Sequence, residues 1–170
     1  GIVKSVTLKG FRSWDSSLVT LSGNKDDVLG YAINTAANQS SQTSALYFTA
    51  AAPAKAADGT QTISYTLSSA NGESVTHQFI IHPHDYMIDW NVLLQGADKL
   101  LTQNILNLQW SIMQNQAQLS SDYEKQQSRI CFFNNDGFDF DRAYSSGATQ
   151  DFTNGTQWIS FKQQFFNTAI

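Results

Sequence analysis

The chain has 170 residues, a net charge of −4 and only 14% charged side chains. A nucleic-acid binder carries a basic excess and a basic stripe; neither is present, so nucleic acid is not an expected partner. The single cysteine, Cys131, leaves no internal disulfide, so the core alone must hold the fold, and no apolar run reaches the ~20 residues that span a bilayer.

The missing charge is replaced by neutral polarity, with 28 Asn and Gln residues in all. Such a surface suits β-sheet better than helix. In chain order, Ile2 to Leu8 and Leu18 to Leu21 are short strand candidates, and Tyr31 to Ile33 and Leu46 to Phe48 are weaker ones. Ala36 to Thr43 reads as a polar loop. Ala50 to Gly59 reads as a second loop, with room for a short helical turn between Pro53 and Gly59. From Thr60 to Ile81 the pattern is a hairpin. Ile63, Tyr65 and Leu67 alternate with polar residues, as do Val75, His77, Phe79 and Ile81, and Asn71-Gly72 offers the positive-φ positions of a tight turn.

After the corner at His82-Pro83-His84-Asp85 a long strand places Tyr86, Ile88, Trp90, Val92 and Leu94 on one face. Leu106, Leu108, Trp110 and Ile112 repeat the alternation. Ile130 to Phe133 reads as a mostly buried strand, and Phe138, Phe140 and Phe152 continue the β pattern. In the last segment Trp158, Phe161, Phe165 and Ala169 recur at spacings of three and four, which fits a short amphipathic helix or an irregular aromatic strand. Short strands with turns between them predict a mainly all-β, antiparallel sandwich with at most one or two short helices, in a single domain over 1–170. The chain begins without Met and stops straight after an aromatic cluster, which reads as a fragment and leaves room for a membrane anchor outside it.

No residue pattern points to chemistry. His82 and His84 are two imidazoles beside Asp85, but a four-ligand zinc site needs partners from elsewhere, and His77 is the one other histidine. The run Asn134 to Asp141 collects three carboxylates without the spacing of a calcium loop. Cys131 lies between Ile130 and Phe132, surroundings that leave a thiol inert. No nucleophile elbow is present. Trp14, in a loop-like stretch, is the tryptophan freest to stack on a ligand; Trp90 and Trp110 alternate with core residues. The expectation is a protein that is not an enzyme and has no catalytic, cofactor-binding or metal-binding residues.

The closing string Trp158-Ile159-Ser160-Phe161-Lys162-Gln163-Gln164-Phe165-Phe166-Asn167-Thr168-Ala169-Ile170 resembles the Trp-apolar-small-apolar-x-Gln-x-aromatic-Phe-x-x-Ala pattern of the large periplasmic domain of YidC insertases. Three further stretches agree in order. Gly1 to Lys9, followed by Phe11, is similar to that domain's opening strand. Val75 to Asp89 is similar to its passage of aromatic strand, Asp-Tyr and strand, carried here by Phe79, Asp85 and Tyr86. Leu108-Gln109-Trp110 and then Glu124 sit where that family places a strand and a loop.

The resemblance implies a β-super-sandwich like that of galactose mutarotases, on the periplasmic face of the inner membrane of Gram-negative bacteria. The chain would be the N-terminal and central portion of that domain, since the family continues past the closing motif into more strands and transmembrane helices. It implies a non-catalytic domain that assists membrane-protein insertion and folding within a membrane-anchored protein. Its partners would be Sec-translocon components and nascent membrane proteins. Trp158, Phe161, Lys162, Phe165 and Phe166 become candidates for a structural or linker-coupling motif. The fragment is expected to self-associate through an open sheet edge. The competing expectation is a carbohydrate-binding or sugar-processing β-sandwich module, which requires exposed aromatics and carboxylates on a concave face.

Overall fold

The computed structural model describes residues 1–135, 137–142, 149, 151–153 and 155–170. Its strands in chain order are β1 (Val6–Arg12), β2 (Leu18–Ser22), β3 (Val28–Ala36), β4 (Gln39–Gln42), β5 (Thr49–Ala50), β6 (Ala54–Lys55), β7 (Gln61–Ser68), β8 (Ser74–Ile81), β9 (Ile88–Gln95), β10 (Leu108–Ser111), β11 (Arg129–Asn134), β12 (Gly137–Arg142), β13 (Thr156–Lys162) and β14 (Asn167–Ala169). The described strand pairings are antiparallel. Among the described residues there are two short helices, α1 (Ala97–Leu100) and α2 (Ser121–Gln127), and 3-10 turns at Thr43–Ala45 and Thr102–Asn104. The mainly antiparallel β reading therefore stands. The chain divides into two compact units, one formed by Gly1–Val3 with Val28–Ser111, the other by Lys4–Asp27 with Ile112–Ile170.

In the first unit, β7, β8 and β9 form the centre of a sheet ordered β5-β7-β8-β9, with β6 also paired to β7. Alternation puts Leu67, Val75 and Leu94 in one cross-strand row, Tyr65, His77 and Val92 in the next, and Ile63, Phe79 and Trp90 in a third. Tyr31 and Ile33 from the second sheet, β10-β3-β4, pack with Val75, Leu100 and Leu101 to make the core. Gly30 is required here: a Cβ would sit 2.9 Å from the Thr43 hydroxyl, which accepts a hydrogen bond from the Tyr31 amide at 3.1 Å.

The β7–β8 hairpin forms as expected, but its turn differs. Only Gly72 takes positive φ, at 94°; Asn71 does not. Ser69 N–H donates to Glu73 O at 2.9 Å, so three residues cross the end, in the pattern of a turn relieved by a glycine bulge. The polar stretch 36–43 is not a loop throughout, because Gln39–Gln42 pairs with β3. An edge strand with no apolar face gives no alternation to read. The alanines of 50–59 form no helical turn; Ala54 and Lys55 pair with Thr62 and Gln61 instead. Of Leu46 to Phe48, only the following Thr49–Ala50 is strand.

In the second unit β1 pairs with β2, and a four-stranded sheet runs β12-β11-β13-β14. The closing aromatic segment is strand, not helix: β13 pairs with β11 over its length, and β14 folds back on β13. β12 and β13 both run antiparallel to β11, one on each side of it. Phe152, between them in sequence, packs edge-on against Phe132 with centroids 4.5 Å apart.

Candidate functional site

Two buried polar clusters organise the units. In the first, β8 points His77 into the core, where it is 1% exposed. Its Nδ1 lies 2.6 Å from the Gly1 carbonyl and its Nε2 2.8 Å from the Tyr31 hydroxyl. A carbonyl only accepts, so Nδ1 carries the proton and Nε2 accepts from the tyrosine. Phe48 stacks on the imidazole at 4.9 Å and Trp90 meets it edge-on at 5.3 Å. Burial pushes the His77 pKa down, partly countered by the Gly1 carbonyl, and burial pushes the Tyr31 hydroxyl up. Both ring nitrogens are thus committed, Nδ1 to the residue 1 carbonyl and Nε2 to Tyr31.

In the second, the Ser120 hydroxyl caps α2 by accepting from Tyr123 N–H, and the helix presents Glu124 inward. The buried Glu124 carboxylate accepts from Ala117 N–H at 3.0 Å, Gln118 N–H at 3.3 Å and the Gln163 amide at 3.3 Å. Gln163 also donates to the Asn115 carbonyl at 2.7 Å. Nearby, Asp27 is held by Gly23, Asn24 and Met113 amides. Burial would raise its pKa, but these bonds outweigh that and keep it below the ordinary carboxylate value.

The sequence candidates scatter. His82 pairs with Asp89 at 3.1 Å in an exposed contact, His84 occupies a positive-φ turn position, and His77 is buried in the core. Among the described residues no three His, Cys, Asp or Glu groups converge. Asp139 and Asp141 alternate along β12 as expected for a strand, while Asp136 lies outside the described residues. Cys131 is buried.

The first unit has a groove of about 630 Å3 floored by Ile33, Leu67 and Val75 and edged by Asn34 and Asn71. At its lip Glu73 pairs with Lys99 at 2.9 Å. Hydrogen bonds from Ser69 and Lys99 pull the Glu73 pKa to about 2. No aromatic ring lines the groove, so it offers a sugar no stacking platform.

Of the closing-motif candidates, Trp158 stacks on Phe133 at 6.3 Å, Phe161 lies opposite Ile130, and Phe166 meets Phe11 edge-on at 5.7 Å. Lys162 and Phe165 are exposed. The buried polar residues of that segment are Ser160 and Gln163; Gln163 holds the Gln position of the closing pattern but is not among the candidates. Its buried role is not marked, because its partners are 39 and 48 positions away. For α2 a signal is present: a serine cap and acids in the first turn.

Antiparallel β units whose buried His77 and Glu124 are spent on internal hydrogen bonds define a β-rich scaffold. Residues 1–170 match the family model described as the YidC periplasmic domain. Relatives named membrane protein insertase YidC align along the chain. The one from Cytophaga hutchinsonii is 25% identical over all of the chain and 27% of that protein, and the one from Parabacteroides distasonis is 25% identical over 96% of the chain and 25% of that protein. That from Phocaeicola vulgatus is 23% identical over all of the chain. The chain spans about a quarter of the length of these curated relatives. No solved structure matches. The chain belongs to the YidC periplasmic domain family.

Proposed function

We propose that this domain assists membrane-protein insertion and folding as part of a YidC-type insertase, held at the periplasmic face of the bacterial inner membrane by an anchor elsewhere in the full-length protein. It does so by docking Sec-translocon components rather than by chemistry. The observation that carries this is the family match over residues 1–170. An architecture whose buried ionisable groups serve the fold supports it. The same reading takes the two units as parts of one larger domain, a β-super-sandwich of the galactose-mutarotase kind. It takes Trp158, Phe161, Lys162, Phe165 and Phe166 as the segment that couples the domain to the rest of the full-length protein. The carbohydrate reading has less support, because the groove lacks aromatic rings.

The test is affinity purification of the full-length protein with and without residues 1–170. Translocon components should co-purify with the intact protein and be lost from the deleted one, which still inserts a small translocon-independent substrate. Equal recovery from both would remove the docking role.

A further inference from the structure

One face of the β12-β11-β13 sheet combines rings and cations in an ordered way, exposed at Phe138, Phe140, Arg142 and Lys162, while Cys131 and Ser160 between them are buried. Directly opposed residues of an antiparallel ladder share a face. The register therefore builds three rows on one side: Arg142, Arg129 and Lys162; Phe140, Cys131 and Ser160; Phe138, Phe133 and Trp158. Phe138 is 59% exposed and Phe140 47%. The half-buried Arg129 guanidinium stands over the Phe140 ring at 5.6 Å and donates to the Gln126 and Ser128 carbonyls, so the exposed cations of the row are Arg142 and Lys162; Phe165 lies exposed in the turn just after Lys162. Asp139 and Asp141 oppose Phe132 and Ile130, which puts them on the other face, the one against which Phe152 packs.

Across β12, β11 and β13 the row that ends this face is therefore basic, in a chain whose net charge is −4. Exposed aromatic rings below a basic row match the two layers of an anionic membrane surface. Rings settle at headgroup level, and cations reach phosphate. Four residues of strand separate the cation row from the Phe138 row, roughly 13 Å, so the exposed rings of β12 and the exposed Arg142 and Lys162 lie within reach of one bilayer surface.

We propose that this face docks the domain onto the surface of a bilayer containing anionic phospholipid. The proposal stands on the face itself, so its failure leaves the insertase reading untouched.

The test is co-flotation of the 170-residue chain with vesicles of phosphatidylcholine alone or mixed with phosphatidylglycerol. At about 0.1 M salt, where charges act over ~10 Å, the chain should float with the anionic vesicles and not with the neutral ones, and raised salt should release it. Lys162→Glu and the double variant Phe138→Ser/Phe140→Ser should each weaken binding at least about five-fold, the scale of one juxtamembrane cation. Lys55→Glu, an equal charge change at an exposed position of the first unit, and Tyr47→Ser, an exposed ring there, should leave it unchanged. Circular dichroism checks folding; should the double variant unfold, Lys162→Glu and Phe165→Ser decide. Absence of binding to anionic vesicles, equal binding to neutral ones, or binding indifferent to Lys162→Glu would each overturn the proposal.

Discussion

His77 and Glu124 show how single polar residues carry structural work in a chain poor in charge. The folded His77 pKa lies below its ordinary 6.5 because the ring is buried. At pH above both values the ring is neutral folded or unfolded, and its contribution is complete. As pH falls through 6.5 the unfolded chain takes up a proton that the folded form refuses, so stability declines until the folded pKa is reached. The slope approaches about 1.4 kcal/mol per pH unit for one proton. Thermal melts of wild type and His77→Phe between about pH 7.5 and 5.5 should show the wild type losing stability across this window and the variant losing less; parallel curves would contradict the assignment. Glu124→Ala strips acceptors from two backbone amides and the Gln163 amide. Buried donors left unpaired cost about 1–3 kcal/mol each before relaxation, so urea denaturation should show a loss of roughly 2–4 kcal/mol.

At the scale of elements, the β7–β8 hairpin offers a clean measurement. Gly72 has φ of 94°, and a Cβ there would meet nothing within 4 Å. Gly72→Ala therefore isolates the backbone cost of positive φ, about 1 kcal/mol or somewhat more, with no packing change. A neutral substitution would mean that the turn rearranges. The hairpin was legible because alternation over eight residues on each arm is a local property that the register then preserves in every pair. The closing segment was not. Trp158, Phe161 and Phe165 repeat at helical spacing, yet Trp158 and Phe161 fall on opposite faces of β13 because pairing with β11 outweighs so short a periodicity. β4 was illegible for the opposite reason: Gln-Ser-Ser-Gln has no apolar side to announce a strand.

At the scale of the whole molecule, sheet edges matter most. Among the described residues β9 pairs only with β8, so one side of an eight-residue strand is unpaired, and Leu93 on it is 55% exposed. Such an edge templates pairing with a second chain, and two copies would meet antiparallel about a two-fold axis. Light scattering should find a mass that rises toward the dimer with concentration, and Leu93→Lys should hold the chain monomeric. A monomer throughout would show that the edge is guarded in solution.

Composition and alternation by themselves determined the class of this protein: an antiparallel β architecture with few helices and a neutral polar surface. The order of short motifs pointed to the family that the comparisons then showed. Both are properties of neighbouring residues or of their sequence order, so they can be read from a string. What only the tertiary structure decided is which distant groups meet. Gly1 is pinned by His77, Gln163 reaches Glu124 and Asn115, and three cations from three strands fall into one row. Each depends on strand register and chain crossing, and buried hydrogen bonds of that kind leave no periodic trace in the sequence.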